Sequence, residues 1–154
     1  MSSKAIIVYA SNSGATFLVA ETIARVLKRR LTVTIQKSAD TKPADLKKYD
    51  ILIFGSPSWD IVGRGNGLPQ ETMLDFIESC AGQKFPGKLC AAFGCGDSSY
   101  SSFCAAVYRL EKLISDLEGK RVVDSLRIDG YFFNLKENSA LAESWAKNLL
   151  KHLI

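Results

Sequence analysis

The residues with the most chemical character gather in three short stretches. The first, Ala10-Ser11-Asn12-Ser13-Gly14-Ala15-Thr16, follows an apolar run and opens an amphipathic one. Backbone N–H groups at a helix start converge on an anion, and Ser11, Asn12, Ser13 and Thr16 add neutral donors around it. The loop lacks the GxGxxG of a dinucleotide fold and the Gly-Lys-Ser/Thr of a nucleotide triphosphatase, so a terminal monophosphate suits it better than a triphosphate. Taken alone, the same residues also make a serine-rich turn with an N-cap.

The second stretch is Gly55-Ser56-Pro57-Ser58-Trp59-Asp60-Ile61-Val62-Gly63. Pro and Gly are expected to end the preceding strand and release Trp59 at its tip, where an indole stacks on an aromatic ligand or packs as a lid. The third is Gly94-Cys95-Gly96-Asp97-Ser98-Ser99-Tyr100-Ser101-Ser102-Phe103-Cys104. Its two early glycines let the backbone turn tightly and approach a ring, and Tyr100 offers a second flat surface. Trp59 and Tyr100 together would enclose a tricyclic heterocycle whose polar edge meets the amides around Asp97 and Cys104. Asp60 and Asp97, taken singly, also read as residues of solvated turns.

The inventory closes other routes. His152 is the only histidine and stands far along the chain from these loops, which excludes Ser-His-Asp catalysis. Cys80, Cys90, Cys95 and Cys104 have no CxxC spacing, so zinc and iron–sulfur sites have little support. Four small buried hydrophobes is the simpler reading, and it suits a reducing compartment.

The elements that must position these loops follow from periodicity. Strands are expected at 4–9, 31–36, 50–56, 88–94 and 121–127, and helices at 16–29, 70–80, 102–118 and 139–153. Phe17, Ala20, Ile23, Ala24 and Leu27 recur at helical intervals, with Glu21, Arg25 and Lys28 on the other side. Ile51-Leu52-Ile53-Phe54 and Leu89-Cys90-Ala91-Ala92-Phe93 show no polar alternation, as strands buried on both faces require. Pro43–Lys48 leaves room for only a short helix, with Asp40 or Thr41 near its start, and Gly63–Gly67 reads as an irregular functional loop. A doubly wound parallel sheet results, and its ligands bind at the carboxyl edge, where all three loops emerge.

The 154 residues fit one domain, 1–154, with ordinary globular composition, 47% hydrophobic and 23% charged. No apolar run reaches membrane-spanning length, and Lys4 leads straight into a strand with no signal-peptide pattern, so a cytoplasmic location is expected. The net charge of +4 is already present in residues 1–40, where six Lys and Arg face only Glu21 and Asp40. That excess recruits an acidic partner or serves solubility. Lys28-Arg29-Arg30 closes a predicted helix, where cations favour the dipole, and no aromatic–basic surface supports nucleic-acid binding.

Over essentially its whole length the chain resembles the flavodoxin family, especially its short-chain members. The resemblance rests on Ile6–Thr16, on Ser56-Pro57-Ser58-Trp59, on Leu126-Arg127-Ile128-Asp129-Gly130 after the fifth strand, and above all on Phe93–Tyr100 with Phe103-Cys104. It implies five parallel strands in the order 2-1-3-4-5 and non-covalently bound flavin mononucleotide (FMN). It also implies a low-potential electron carrier, not an enzyme, that cycles FMN between quinone, semiquinone and hydroquinone. Partners would be redox proteins such as a flavodoxin reductase and an electron acceptor, met by a monomer. By the same resemblance Ser11, Asn12, Ser13, Gly14 and Thr16 surround the phosphate, with Ala15 where the family usually has asparagine. Ser56, Pro57 and Ser58 belong to the second binding loop, Trp59 covers the inner ring face and Tyr100 the outer. Backbone at Asp97 and Cys104 binds the pyrimidine edge, Ser58 helps near the phosphate or ribityl chain, and Cys95, Gly96 and Phe103 belong to the third binding loop.

Two departures bear on mechanism. By the resemblance, Asp60 stands at the peptide that turns on reduction, where glycine is common in the family and reaches positive φ freely. The positive total charge is unusual in a family that is mostly acidic, although residues 56–80 set only Arg64 against Asp60, Glu71, Asp75 and Glu78. The rival readings are an FMN-dependent NAD(P)H–quinone reductase and a flavodoxin-shaped interaction module that has lost FMN.

Overall fold

A computed structural model describes residues 3–100 and 102–154; Ser101, within the third loop, lies outside them. The chain runs β1 (Lys4–Tyr9), α1 (Ala15–Leu27), β2 (Thr32–Lys37), two 3-10 turns (Ser38–Asp40 and Pro43–Lys48), β3 (Ile51–Ile61), β4 (Gly65–Pro69) and α2 (Glu71–Ser79). It continues through β5 (Leu89–Gly96), α3 (Ala106–Asp116), β6 (Lys120–Arg121), β7 (Leu126–Asp129) and α4 (Leu135–Leu153). The parallel sheet has the order β2-β1-β3-β5, with β6 and β7 in series along the far side of β5. This is the expected 2-1-3-4-5 order.

Alternation along β1 explains the two cores. Ile7 faces α1 and α4 with Val19, Ile23, Leu27, Ala142 and Leu149. Ile6 and Val8 face α2 and α3 with Leu52, Phe54, Met73, Phe76 and Leu110. Each fully buried Ile, Leu or Phe contributes about 1.5–3 kcal/mol. Gly55 is fixed by this packing, because a Cβ there would lie 2.0 Å from the ring of Phe93 in the neighbouring strand.

Several boundaries differ from the sequence expectation. Residues 58–69 form an antiparallel hairpin, not an irregular loop: Ser58 pairs with Pro69, Trp59 with Leu68 and Ile61 with Gly65, with a bulge between Trp59 and Ile61. The fifth strand is broken between Arg121 and Leu126, and Leu126–Asp129 is part of it rather than following it. There the Trp145 indole donates to the Asp124 carbonyl and Ser125 donates to Glu111, which draws residues 124–125 off the sheet edge. α3 begins four residues later than expected, because Cys104 sits at φ +49, outside helical geometry. α4 begins four residues earlier, with buried Asn138 donating to the carbonyls of Asp129 and Gly130. The short helix is 3-10 in type and its start is held by Asp45, which accepts the Lys42 N–H; Asp40 and Thr41 belong to the preceding turn and its end. No helix among the described residues is long and apolar enough to cross a membrane.

Candidate functional site

The carboxyl ends of β1, β3, β5 and β7 surround a cavity of about 610 Å³. Its size falls in the range of small-molecule and cofactor sites. At one end is the first turn of α1. Gly14 is the N-cap at φ +94, no side chain caps the helix, and its first turn carries no acidic residue. The first N–H groups of a helix have no intrahelical partner, so this end presents donors and a partial positive charge to an anion. Asn12, Ser13, Ala15 and Thr16 line the cavity here.

Two other residues of that loop stand behind it. The Ser11 hydroxyl accepts the Gly14 N–H at 3.1 Å, which shapes the turn, and neither residue lines the cavity. Asn12 is tied to the start of α2 by a 3.2 Å bond from the Gln70 amide. Thr16 is almost fully buried, with its side chain beside the Cys95 thiol.

Trp59 and Tyr100 stand on the cavity wall with 47% and 71% of their surfaces exposed. Aromatic rings bury large apolar areas when covered, so two such rings on one cavity present a site for a flat ligand. Pro57 and Ser58 line the wall below Trp59, and Ser58 accepts the Ala106 N–H at 2.9 Å, linking the second loop to α3. Ser56 is not on the wall: it is fully buried, donates to the Pro57 carbonyl and accepts the Gln70 N–H. Its work is to hold the loop ends together.

Asp60 lines the cavity and its carboxylate accepts the Gly67 N–H at 2.9 Å, across the bulge in the hairpin. Gly67 is at φ +63, and a Cβ would come within 2.8 Å of Ala105. The hairpin is also fastened outside the cavity. The Arg64 guanidinium meets Glu78 at 2.9 Å, Asp75 at 3.2 Å and Glu71 at 3.8 Å, and the hydrogen bond to Glu78 above all raises its pKa. Arg64 is therefore engaged by three carboxylates of α2, and this side keeps a net negative charge.

Cys95, Gly96, Asp97, Phe103 and Cys104 complete the third side. Burial pushes the thiols of Cys95 and Cys104 up to about 12, so both stay protonated and apolar at neutral pH. The side chain and then the backbone N–H of Ser99 donate to Asp97 and lower its pKa, keeping it ionised. Asp129 accepts the Ser98 N–H at 2.9 Å and steadies the same turn from β7. The chemistry available is adsorption of a phosphate at one end and of a planar ring at the other, beside fixed negative charge.

Sequence reasoning named Gly67, Ser102 and Gly130 only as members of longer segments and missed Tyr131-Phe132-Phe133; all six line the cavity. Three consecutive aromatics directly after a strand at the binding edge were the available signal. Tyr131 is buried and meets Phe132 edge-on at 5.3 Å, whereas Phe132 and Phe133 are 53% and 87% exposed at the mouth.

A family profile described as "Flavodoxin" matches residues 7–138. The chain belongs to the flavodoxin family. It is 35% identical over 130 residues to the flavodoxin of Maridesulfovibrio salexigens, covering 83% of this chain and 87% of that protein. Its structure superposes on oxidised Flavodoxin 2 from Bacillus cereus with a TM-score of 0.83 at 29% identity, over 93% of this chain and 94% of the other. The flavodoxin of Fusobacterium nucleatum, solved bound to FMN, shares the fold at 16% identity and a TM-score of 0.82, over 97% and 98% of the two chains. The short fifth-strand break, with no long insertion, is consistent with a short-chain flavodoxin.

Proposed function

We propose that this chain, as one FMN-binding domain over 1–154, carries electrons at low potential between redox proteins. The observation that carries the reading is the pair of half-exposed and exposed rings, Trp59 and Tyr100, on a cavity that ends at the uncapped start of α1. That cavity suits a tricyclic ring with a phosphate tail. The amides and side chains of Asn12, Ser13 and Thr16, with the Ala15 amide, would hold the phosphate, Ser58 would serve near the phosphate or ribityl chain, and backbone at Asp97 and Cys104 would bind the pyrimidine edge. Cys95, Gly96, Phe103 and Pro57 shape the walls.

Bound FMN supplies one-electron redox chemistry. The polypeptide supplies the setting: Trp59 and Tyr100 exclude water from the ring faces, and ionised Asp97 with Asp60 and Asp129 near the mouth disfavours added negative charge. That electrostatic bias lowers the potential. The acidic side formed by Glu71, Asp75 and Glu78 around Arg64 suits a reductase with a basic docking face, and the encounter weakens as salt rises. Four buried neutral thiols suit a reducing, cytoplasmic setting.

A coupled assay tests the reading. With an NADPH-dependent flavodoxin reductase and cytochrome c, cytochrome reduction should scale with the added FMN-loaded protein. NADPH oxidation by the purified protein without reductase would instead make it a reductase in its own right.

A further inference from the structure

We propose that the edge of the sheet opposite the FMN cavity is a second docking surface, for an acidic protein segment. The positive charge of the chain is not spread evenly. Residues 1–4, 28–32, 46–51, 80–89 and 116–121, which lead into β1, β2, β3, β5 and β6, hold ten of the twenty Lys and Arg but three of the sixteen carboxylates, Asp50, Asp116 and Glu118. The remainder of the molecule therefore carries a net charge of −3.

Strand register makes this edge continuous. Lys4 lies beside Thr32, just after Arg29 and Arg30; β3 follows, entered through Lys47 and Lys48; Leu89 of β5 pairs with both Ile51 and Lys120. Four strand spacings, about 19 Å, separate β2 from β6. An extended segment of about six residues spans that distance.

These cations are available. Lys28, Arg29, Arg30, Lys47, Lys48 and Lys120 are exposed and make no ion pair with any described residue. Asp116 is engaged by Lys112, and Asp50 accepts the Lys4 backbone N–H. Compensation of helix dipoles accounts for part of the pattern, since Lys28 follows α1. It does not account for Lys4 and Lys120, which begin strands, nor for three consecutive cations after one helix.

The surroundings favour protein over the other polyanions. Lys84 and Lys88 already fill the carbonyls of Asp116, Lys47 and Tyr49, so what the edge offers a partner is its row of exposed cations, which the carboxylates of one extended acidic segment follow from strand to strand. The exposed large apolar residues sit at the cavity mouth, in the hairpin and along α3 and α4, with Ile154 just past α4, and none lies on these strand-entry segments, so a bilayer has no apolar cluster to anchor it here. Binding at this edge leaves the FMN mouth open to its redox partners.

The test is fluorescence anisotropy of a labelled short poly-L-glutamate titrated with the holoprotein at low salt. A four-site variant, R29Q/R30Q/K48Q/K120Q, should weaken binding about tenfold or more, while K37Q/K42Q/K136Q/K147Q, which removes equal charge elsewhere, should change it less than about threefold. Thermal melts and FMN content of both variants check that the fold persists. Equal losses in the two variants, no binding by the wild type, or tighter binding of duplex DNA or phosphatidylglycerol vesicles than of poly-L-glutamate would overturn the proposal.

Discussion

Asp60 is the residue at which this chain makes its most specific prediction. Its carboxylate accepts the Gly67 N–H at 2.9 Å, and its backbone is not among the positive-φ positions, which for described non-glycine residues are Cys104 and Glu118. If the peptide after Trp59 turns when the cofactor is reduced, as in the family, Asp60 must release Gly67 and enter positive φ. The part-buried, charge-assisted bond contributes about 1 kcal/mol. Positive φ at a non-glycine residue costs about 1 kcal/mol more. Together they oppose the turn by roughly 2 kcal/mol, or about 90 mV on a one-electron couple. Potentiometric titration of the FMN-loaded protein should therefore show the two one-electron potentials separated by roughly 90 mV more in Asp60→Gly than in wild type. Asp60→Ala, which loses the bond but not the positive-φ cost, should recover about half of that, and Asp60→Asn, which keeps an acceptor, is the control for the charge that all three variants lose. An unchanged separation in Asp60→Gly, or an equal change in Asp60→Asn, would refute the reasoning.

Three further outcomes follow from the site. Ala15→Asn, which restores the residue common in the family beside the α1 N-terminus, should tighten FMN about tenfold by calorimetry, the worth of one added hydrogen bond to an anion. Gly67→Ala should destabilise the protein by about 2 kcal/mol or more, read as a lower denaturant midpoint, because the new methyl meets Ala105 at 2.8 Å in a left-handed backbone. Phe132→Ser with Phe133→Ser should raise the KM of a reductase for the protein about tenfold while leaving FMN affinity within about twofold, because these rings stand at the mouth with most of their surface free. Tighter coupling of both effects would place the two rings on the cofactor instead of on the partner.

The sequence made the sheet legible because its central strands are buried on both faces and its helices each show one apolar stripe. Strand order and the carboxyl-edge location of the site follow from that. The hairpin was not legible. Gly63-Arg64-Gly65-Asn66-Gly67 has no alternation, and its pairing depends on contacts distant in sequence: Trp59 opposite Leu68, Asp60 on Gly67 and Arg64 on the acidic residues of α2. The onset of α3 depends on one residue, Cys104, whose positive φ no propensity scale announces. Among the site residues, Trp59, Tyr100 and the Gly96–Asp97 turn stand where their types suggested, at the tips of buried strands. Ser56 does not, because its hydroxyl is consumed in closing the loop between Pro57 and Gln70. Phe132 and Phe133 were overlooked because aromatic residues after a strand read as core unless the strand is known to end at the mouth.

The most direct test of the central claim is a titration of the apoprotein with FMN, followed by the tryptophan and flavin fluorescence together. The cavity between Trp59 and Tyr100 predicts one FMN per chain, with quenching of both signals, and loss of most tryptophan quenching in Trp59→Ala. Failure of the wild-type apoprotein to take up FMN, or quenching unaltered by removal of Trp59, would contradict it.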